Sequence, residues 1–199
     1  MAISKEFNLL DKIKYIFSSP NLFFEQLNAE KGIIKALGIF LLLGFFFNLF
    51  IFIILSDLFN SNITSLGIII WMIWEIVLLT PLKLGFIFLG TGSSYLALKC
   101  FNKEATYSKT FQILVYSAVP PSLILLVNLV INSFGLNLII NILIFFAALI
   151  YFAFLAVIGF IQLYKISKWK AVVVILALSP FVVLIIGIYL FLIGYSLAG

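Results

Sequence analysis

The chain has 199 residues, of which 65% are hydrophobic and 10% are charged. Soluble globular domains are about 45–50% apolar, so this composition and a mean hydropathy of +1.30 exclude an ordinary soluble domain and predict a membrane protein. The net charge of +5 comes from Lys residues that flank apolar stretches, a pattern that orients membrane spans and does not indicate nucleic-acid binding.

Chemistry-bearing residue types are scarce in this chain. It has no His and a single Cys, Cys100, which excludes a disulfide framework or a Cys/His metal site within one chain. Its only two Asp, Asp11 and Asp57, are predicted to lie on opposite sides of the membrane, and neither a GxxxxGK[ST] nor a GxGxxG motif is present. We therefore expect no enzymatic activity, no cofactor and no metal.

Residues 1–32 form a predicted cytoplasmic segment with two short helices. Apolar residues recur at helical spacing over 5–17, with the charged residues outside the apolar stripe, and this predicts an amphipathic helix along the membrane surface. Pro20 suits the first turn of a second short helix over 21–28. The segment is either an interfacial anchor or a helix that docks a partner.

Residues 33–199 form a predicted all-α membrane domain of five spans. The stretch 66–101 is too long for one span, because its 36 residues would make a helix of roughly 54 Å at ~1.5 Å per residue, against about 30 Å of hydrocarbon. Pro81 divides it into an interfacial or re-entrant helix over 66–80 and the second span. The five spans are predicted at about 33–55, 82–98, 110–131, 138–163 and 171–197.

The third span holds Pro120 and Pro121 near its middle. Each proline lacks an N–H and crowds the carbonyl four residues earlier, here those of Tyr116 and Ser117. Because lipid cannot hydrogen bond to these carbonyls, we expect a broken turn that faces neighbouring helices.

The distribution of Lys predicts the topology. Eleven of the twelve Lys precede the first span or lie in alternate gaps between spans, and Lys83 alone lies on the other side. Cytoplasmic loops retain basic residues, so we expect the amino terminus inside and the carboxyl terminus outside, in a multi-pass protein of the cell membrane. Every basic residue is Lys, and Phe, Ile and Asn are abundant, which indicates an A/T-rich genome and favours a prokaryotic source.

Ionisable and polar residues near or within the spans are the candidate functional positions. Glu75 and Lys83 are about 12 Å apart along a helix, and they form either an interfacial charge pair or an ion-coupling site. Span amides, including Gln112 and Gln162, either hydrogen bond between helices or line a substrate pathway. The intramembrane polar or hinge positions that we single out are Glu75, Pro81, Lys83, Tyr116, Pro120 and Pro121.

Three stretches of the chain resemble the Yip family, which is named for membrane proteins that interact with Ypt/Rab GTPases. They are SSPNLFFEQLNAEKGIIKAL before the first span, KTFQILVYSAVPPSLI in the third span and YKISKWKAVVVI before the fifth. In the second stretch, Tyr116 and Pro120 have the separation found in the family. The loop NKEATYSKTF differs, because it lacks the paired Gly often found before the third span.

The resemblance implies a cytoplasmic amino terminus, five helices and no catalytic activity. Eukaryotic relatives serve vesicle traffic and membrane shaping, and we carry over the architecture and not the pathway. We expect a non-enzymatic protein that organises membrane or recruits partners at its cytoplasmic face, through the amino-terminal helix and the loops around Lys103 and Lys168.

The expected partners are the lipid bilayer and a membrane or cytoplasmic protein, with a homo-oligomer as a further option and no nucleic acid. The alternative function is a small transporter or channel for ions or small solutes. It would use Glu75, Lys83 and the Pro120–Pro121 segment.

Overall fold

The computed structural model describes residues 9–27, 32–45, 67, 69–70, 73, 76–77, 80–132 and 138–178, with Lys83 described by its backbone alone. Every regular element in those ranges is a helix, as the sequence predicts. The helices are α1 (Leu9–Ser18), α2 (Pro20–Leu27), α3 (Ile34–Phe45), α4 (Thr80–Lys99), α5 (Tyr107–Asn132), α6 (Leu138–Tyr164) and α7 (Lys168–Leu176).

Two of these helices are long and apolar enough to cross a membrane, over Tyr107–Asn128 in α5 and Leu143–Tyr164 in α6. They pack against each other and form the centre of the bundle, with α4 against α5 and α7 against both α4 and α6. Side chains of α5 face protein more than those of α6, since 61% of its apolar window is buried against 28% for α6. The bundle is therefore built around α5.

The amino-terminal pair, which is α1 and α2, is joined by a tight corner at Ser19. The Ser19 N–H donates to the Tyr15 carbonyl at 2.8 Å, and the Ser19 carbonyl accepts from the Phe23 N–H at 3.1 Å. Pro20 begins α2, where its missing N–H removes no helical hydrogen bond. The two short helices that the sequence predicts are confirmed.

The amino-terminal pair lies against other helices of the bundle. The pair packs on the bundle, with α1 against α5 and α2 against α6. Ile16, Phe24 and Leu27 are buried, with 1, 0 and 3% of each exposed. The pair is thus packed in part against two helices that follow it in the chain, and its position along the membrane surface stays a prediction.

Helix α5 continues through both prolines, so the expected broken turn is wrong. Residues on either side of Pro120 and Pro121 are helical from Tyr107 to Asn132. Each proline removes one backbone hydrogen bond, but both prolines are buried and the turn is held by its packing. The prediction that this turn faces protein is confirmed, since Tyr116 and Val119 beside it are 2 and 4% exposed.

Side-chain hydroxyls connect α4 to its neighbours. The Ser93 hydroxyl donates to the Ala177 carbonyl at 3.0 Å and that of Ser94 to the Val174 carbonyl at 3.3 Å. The Tyr107 hydroxyl donates to the Phe88 carbonyl at 2.8 Å. These hydrogen bonds provide partners for polar groups inside an apolar bundle, where water does not provide them.

Parts of the predicted spans and of the connecting segment lie outside the described residues. They are 46–55 of the first span, 179–197 of the fifth, and the greater part of 66–80.

Candidate interaction face

Two loops and four helix ends meet at one end of the bundle, which we call the Lys-bearing end. It is built from 99–110, where α4 passes to α5, and from 161–170, where α6 passes to α7. Four of its Lys side chains are exposed to solvent: Lys99, Lys103, Lys165 and Lys168. These are the loops that the sequence analysis assigned to the cytoplasmic side.

Tyr164 ties the two loops together. Its hydroxyl donates to the Thr106 carbonyl at 3.0 Å and lies 3.3 Å from the Thr110 hydroxyl. The side-chain amide of Asn102 donates to the Tyr164 carbonyl at 3.0 Å, and the Asn102 side-chain oxygen accepts from the Glu104 N–H at 2.9 Å. Loop 99–106 is thus joined to the end of α6 by two sets of hydrogen bonds, those of the Asn102 side chain and those of the Tyr164 hydroxyl.

An aromatic and cationic cluster covers the same junction. The rings of Phe101 and Trp169 meet edge to face, with centroids 5.6 Å apart. The Lys170 amino group lies 5.5 Å from the Phe101 centroid and 5.9 Å from that of Trp169. Trp169 is itself 60% exposed, and an exposed Trp beside Lys is typical of the headgroup region of a membrane.

Lys165 turns the chain from α6 towards α7. Its φ of 52° is in the left-handed region, which residues other than Gly and Asn adopt at a cost of about 1–2 kcal/mol. The Lys165 N–H donates to the Ile161 carbonyl at 2.9 Å, as expected for a helix that ends in this conformation. The turn leaves the Lys165 side chain exposed beside the loop.

The amino-terminal pair is held against this end by hydrogen bonds from α5 and α6. The Lys109 amino group donates to the Leu27 carbonyl at 2.7 Å, where α2 ends, and the Gln112 amide donates to the Gly32 carbonyl. Further along, the Gln162 amide donates to the Asn21 side-chain oxygen at 3.2 Å. The prediction that span amides hydrogen bond between helices is confirmed for Gln162, whereas Gln112 bonds to a backbone carbonyl that precedes α3.

Gly159 lies where α2, α5 and α6 pack closely together. A Cβ at this position would lie 2.6 Å from Cγ2 of Ile113 and 3.1 Å from the Phe24 ring. Contacts below about 3 Å are repulsive, so only Gly lets the Phe24 ring reach α6 without a shift. Gly159 therefore sets how closely the amino-terminal pair can dock.

Tyr116 of α5 contacts both helices of the amino-terminal pair. The Lys12 amino group donates to its hydroxyl at 3.1 Å and lies 5.3 Å from its ring centroid. The Phe23 ring meets it edge to face at 5.3 Å between centroids. Tyr116 is 2% exposed, so a residue that the sequence marked as a family feature forms the contact between α1 and α5.

The other candidate positions from the sequence do not join this cluster. Pro120 and Pro121 follow Tyr116 by about one turn of α5, whereas Pro81 is exposed in the first turn of α4. Glu75 lies outside the described residues, as does the side chain of Lys83. Their pairing stays a prediction.

Sequence reasoning did not identify Lys12, Asn102 or Tyr164 as site residues. Lys12 occupies the polar side of an amphipathic pattern, which ordinarily faces water, and Tyr164 lies at a span end where Tyr is common. No local pattern distinguishes these positions, because their partners are 54 to 104 residues away in the chain where hydrogen bonds connect them.

Comparison with known proteins gives one result. The family model described as the Yip1 domain matches residues 14–191, a range that covers the amino-terminal pair from within α1 and all the later helices. No curated protein and no solved structure matches the chain. The matched range and the helical bundle agree with the resemblance found in the sequence, and the chain belongs to the Yip1-domain family.

Proposed function

We propose that this chain is a non-enzymatic membrane protein with five spans and a cytoplasmic amino terminus, whose Lys-bearing end organises the membrane or recruits partners at the cytoplasmic surface. The family and the two long apolar helices support the membrane part of this proposal. The observation that carries the function is the pair of tied loops, which presents exposed Lys side chains and Trp169 in a fixed arrangement.

Fixed Lys side chains suit an anionic surface. A Lys close to an anionic membrane surface contributes about 1 kcal/mol of attraction. Loops that are already ordered lose little conformational entropy when they bind. The Tyr164 hydrogen bonds and the Phe101–Trp169 contact provide that order before any partner arrives. Members of the family interact with Ypt/Rab proteins, and we propose a cytoplasmic protein as the partner class that would meet the same face.

Cys100 offers a direct test of the orientation, because it is the chain's single Cys and its side chain is exposed at the Lys-bearing end. A membrane-impermeant maleimide should label it in inverted membrane vesicles and leave it unlabelled in intact cells. As a control, Cys100→Ala combined with Asn62→Cys moves the thiol to the predicted outer loop and should reverse the pattern. Labelling of Cys100 from outside intact cells would contradict the proposed orientation.

Reconstitution tests the membrane-organising role. The full chain is placed in vesicles of phosphatidylcholine with and without phosphatidylglycerol, and vesicle diameter and shape are measured by electron cryomicroscopy. We expect a change in shape that needs the anionic lipid. The combined variant Lys99→Gln, Lys103→Gln and Lys168→Gln should lose it, since three Lys represent about 3 kcal/mol of attraction.

Lys83→Gln is the control for that variant, since Lys83 is the Lys predicted to lie on the opposite side. It should leave the effect on vesicles unchanged. A partner-free protein that alters vesicles in neither lipid would count against the proposal, as would equal loss of the effect in both variants.

The alternative of a transporter or channel gains no specific support from the described residues. Glu75 lies outside them, and α5 is continuous where a break at Pro120 and Pro121 would have opened the helix. Ion flux into the same proteoliposomes discriminates between the two functions. Flux that Glu75→Gln abolishes would replace the proposal above.

A further inference from the structure

One face of α4 is exposed along most of the helix. Leu82, Leu89 and Leu96 lie on this face, and 49, 60 and 66% of each is exposed. These three Leu are seven residues apart, and Gly85 and Gly92 follow the first two Leu by three residues. We call these five residues the Leu/Gly stripe. It extends over about 21 Å at ~1.5 Å per residue.

The two Gly of the stripe are not needed for packing within the described part of the chain. A Cβ added to Gly85 or Gly92 would meet no heavy atom of a described residue within 4 Å beyond those of its own helical turn. Gly90, on another face of α4, differs because its Cβ would lie 3.6 Å from the Leu178 side chain. Gly inside a helix is less stable than Ala, so the stripe has two destabilising residues that no described contact requires.

The opposite side of α4 packs inside the bundle. Ser94 and Leu98 are 0% exposed, and the Ser94 hydroxyl donates to the Val174 carbonyl of α7 at 3.3 Å. At 3.6 residues per turn, Leu98 lies roughly 160° around the helix from Leu96. The Leu/Gly stripe therefore faces away from α5 and α7, towards whatever surrounds the bundle.

The spacing of the stripe is that of an interface between two helices. Residues that recur at intervals of three and four occupy the a and d positions of a heptad, here with Leu at a and Gly at d. In membranes, such interfaces are enriched in small residues because these let two backbones approach closely. Lipid chains require neither a seven-residue period nor small residues. The stripe thus has the period and the composition of a surface that packs against a helix.

The stripe is complementary to the same stripe of a second copy. Topology gives every copy one orientation in the bilayer, so two α4 helices related by a two-fold axis along the membrane normal are parallel. In a parallel pair, a positions meet a positions and d positions meet d positions. Leu then packs against Leu and Gly against Gly, and none of the five residues is ionisable.

The charge at the end of the stripe is engaged within its own copy. Lys99 occupies the next d position after Gly92. Its amino group donates to the Lys103 carbonyl at 2.7 Å and lies 5.7 Å from the Tyr95 ring centroid. Two parallel copies can therefore meet along the stripe without directing these two cations at each other.

The segment that precedes α4 fits the stripe less well. Its described apolar residues are themselves largely exposed, since 53% of Ile69, 55% of Ile73 and 62% of Ile76 is accessible. A segment folded back onto α4 would bury such side chains against the Leu residues. These exposures favour a second copy as the occupant.

We propose that two copies of the chain associate through the Leu/Gly stripe of α4 as a parallel dimer. The two helices would cross at about +20°, as seven-residue repeats do. The proposal rests on the membrane placement of α4 proposed above and not on the role of the Lys-bearing end. Because α4 leads into loop 99–106, the dimer would bring two Lys-bearing ends together on one membrane surface.

Disulfide formation in native membranes tests the proposed face. Cys100→Ala removes the chain's single Cys and provides the background for one introduced Cys. A disulfide needs Cα atoms about 4.4–6.8 Å apart, and Leu96→Cys should meet this requirement across the two-fold axis. We expect copper phenanthroline to convert this variant to a dimer on a non-reducing gel. Val172→Cys, at an exposed position of α7, is the control and should remain monomeric.

No more disulfide dimer from Leu96→Cys than from the control would overturn the proposed face. Maleimide labelling of Cys100 in the otherwise unchanged chain reports the membrane placement of α4 independently. Correct labelling without disulfide formation would therefore contradict the dimer and leave the proposed function in place.

Energy transfer in phosphatidylcholine vesicles tests the role of the Gly residues. The full chain is labelled at Cys100 with a donor or an acceptor fluorophore, and transfer is measured as the protein is diluted with lipid. Gly92→Leu should weaken association at least about tenfold, because a large side chain at d keeps the backbones apart. Ala is among the small residues that such interfaces accept, so a large residue is required.

Gly38→Leu is the matched control, since a Cβ at Gly38 of α3 also has no described heavy atom within 4 Å. It should leave association unchanged. Circular dichroism shows whether each variant is folded, and Gly85→Leu replaces Gly92→Leu if the latter is not. Energy transfer in the unchanged chain no greater than that of random collisions would overturn the dimer, as would undiminished association of a folded stripe variant.

Discussion

The two halves of α6 lie in different surroundings although both are apolar. In the first half, Leu143 and Ile150 point outward and are 63 and 71% exposed, whereas in the second half Leu155 and Phe160 are 0% exposed. In the second half, α2 and α5 pack closely against α6 around Gly159. The first half presents an apolar stripe of the kind that lipid covers.

This difference arises from the amino-terminal pair and not from the composition of α6. A helix that crosses a membrane is apolar on the faces that meet lipid and on those that meet protein. What distinguishes the second half is a small residue that admits the Phe24 ring, together with hydrogen bonds from the same end of α6 to α2 and to loop 99–106. The pair therefore forms part of the core at one end of the bundle.

The largest loss of stability is expected from Phe24→Ala, because this variant removes the buried ring through which α2 packs against the second half of α6. Phe24 is 0% exposed, and removal of a fully buried Phe side chain costs about 3–5 kcal/mol. The free energy of unfolding, measured by denaturant titration in detergent micelles, should fall by that amount. Phe146→Ala in the first half of α6 is the control, since Phe146 is 57% exposed. A similar loss in both variants would mean that the two halves do not differ.

Gly159→Ala should have the next largest effect. The added methyl group would lie 2.6 Å from Ile113 and 3.1 Å from the Phe24 ring, and overpacking of this kind costs about 1–3 kcal/mol. Gly92→Ala in α4 has no heavy atom within 4 Å of the new Cβ and should instead stabilise the helix by about 0.5–1 kcal/mol. Thermal unfolding of both variants should give shifts of Tm in opposite directions, and a stabilising Gly159→Ala would contradict the close approach.

Tyr164→Phe tests the role of the hydrogen bonds at the end of α6 separately from that of its packing. It should make loop 99–106 more mobile and leave the packed side chains of α6 unchanged. The variant lacks the hydroxyl that donates to the Thr106 carbonyl at 3.0 Å, although that carbonyl still accepts from the Thr110 N–H and hydroxyl. Loss of one such hydrogen bond costs about 0.5–1.5 kcal/mol. Amide hydrogen exchange over 99–106 should become faster. Tyr151→Phe deletes the same atom from the first half of α6 and should not alter exchange in that loop, whereas unchanged exchange in Tyr164→Phe would contradict the role of this phenol.

Lys165→Gly should have the smallest effect and the opposite sign. The residue has a φ of 52°, which Gly adopts without a Cβ penalty, so the variant should gain up to about 1 kcal/mol of stability. Lys103→Gly removes an exposed Lys from the other loop and serves as the control for charge. A loss of stability in Lys165→Gly would show that the Lys side chain holds the turn.

Much of the fold follows from local patterns in the sequence. The helix pair before the first span, the helix over Thr80–Lys99, and the two helices that end at Asn132 and begin at Leu138 were predicted from apolar runs and from residues that interrupt helices, such as Pro20 and Pro81. The family resemblance was likewise carried by three short stretches, and the family model confirmed it.

What the sequence did not predict depends on packing between distant segments. The amphipathic stripe of α1 gives the same pattern whether it faces lipid or α5, so Lys12 was assigned to a polar surface although it lies beside Tyr116. The prolines in α5 were expected to break it, because proline chemistry is local and the packing that keeps the helix continuous is not. In each case, contacts between residues far apart in the chain determine which of two structures forms, and the local sequence is compatible with both.

The hydrogen bond between Asn21 and Gln162 joins residues 141 positions apart. A ribosome that adds about 5–20 residues per second completes that interval in roughly 7–28 s. During this time α2 has been synthesised, but the α6 surface that receives Phe24 does not yet exist. The amphipathic pair must reside somewhere else in the interval, and the membrane surface is the apolar phase available to it. Docking of the amino-terminal pair onto α6 is consequently a late event in biogenesis, which can follow only after α6 has been synthesised.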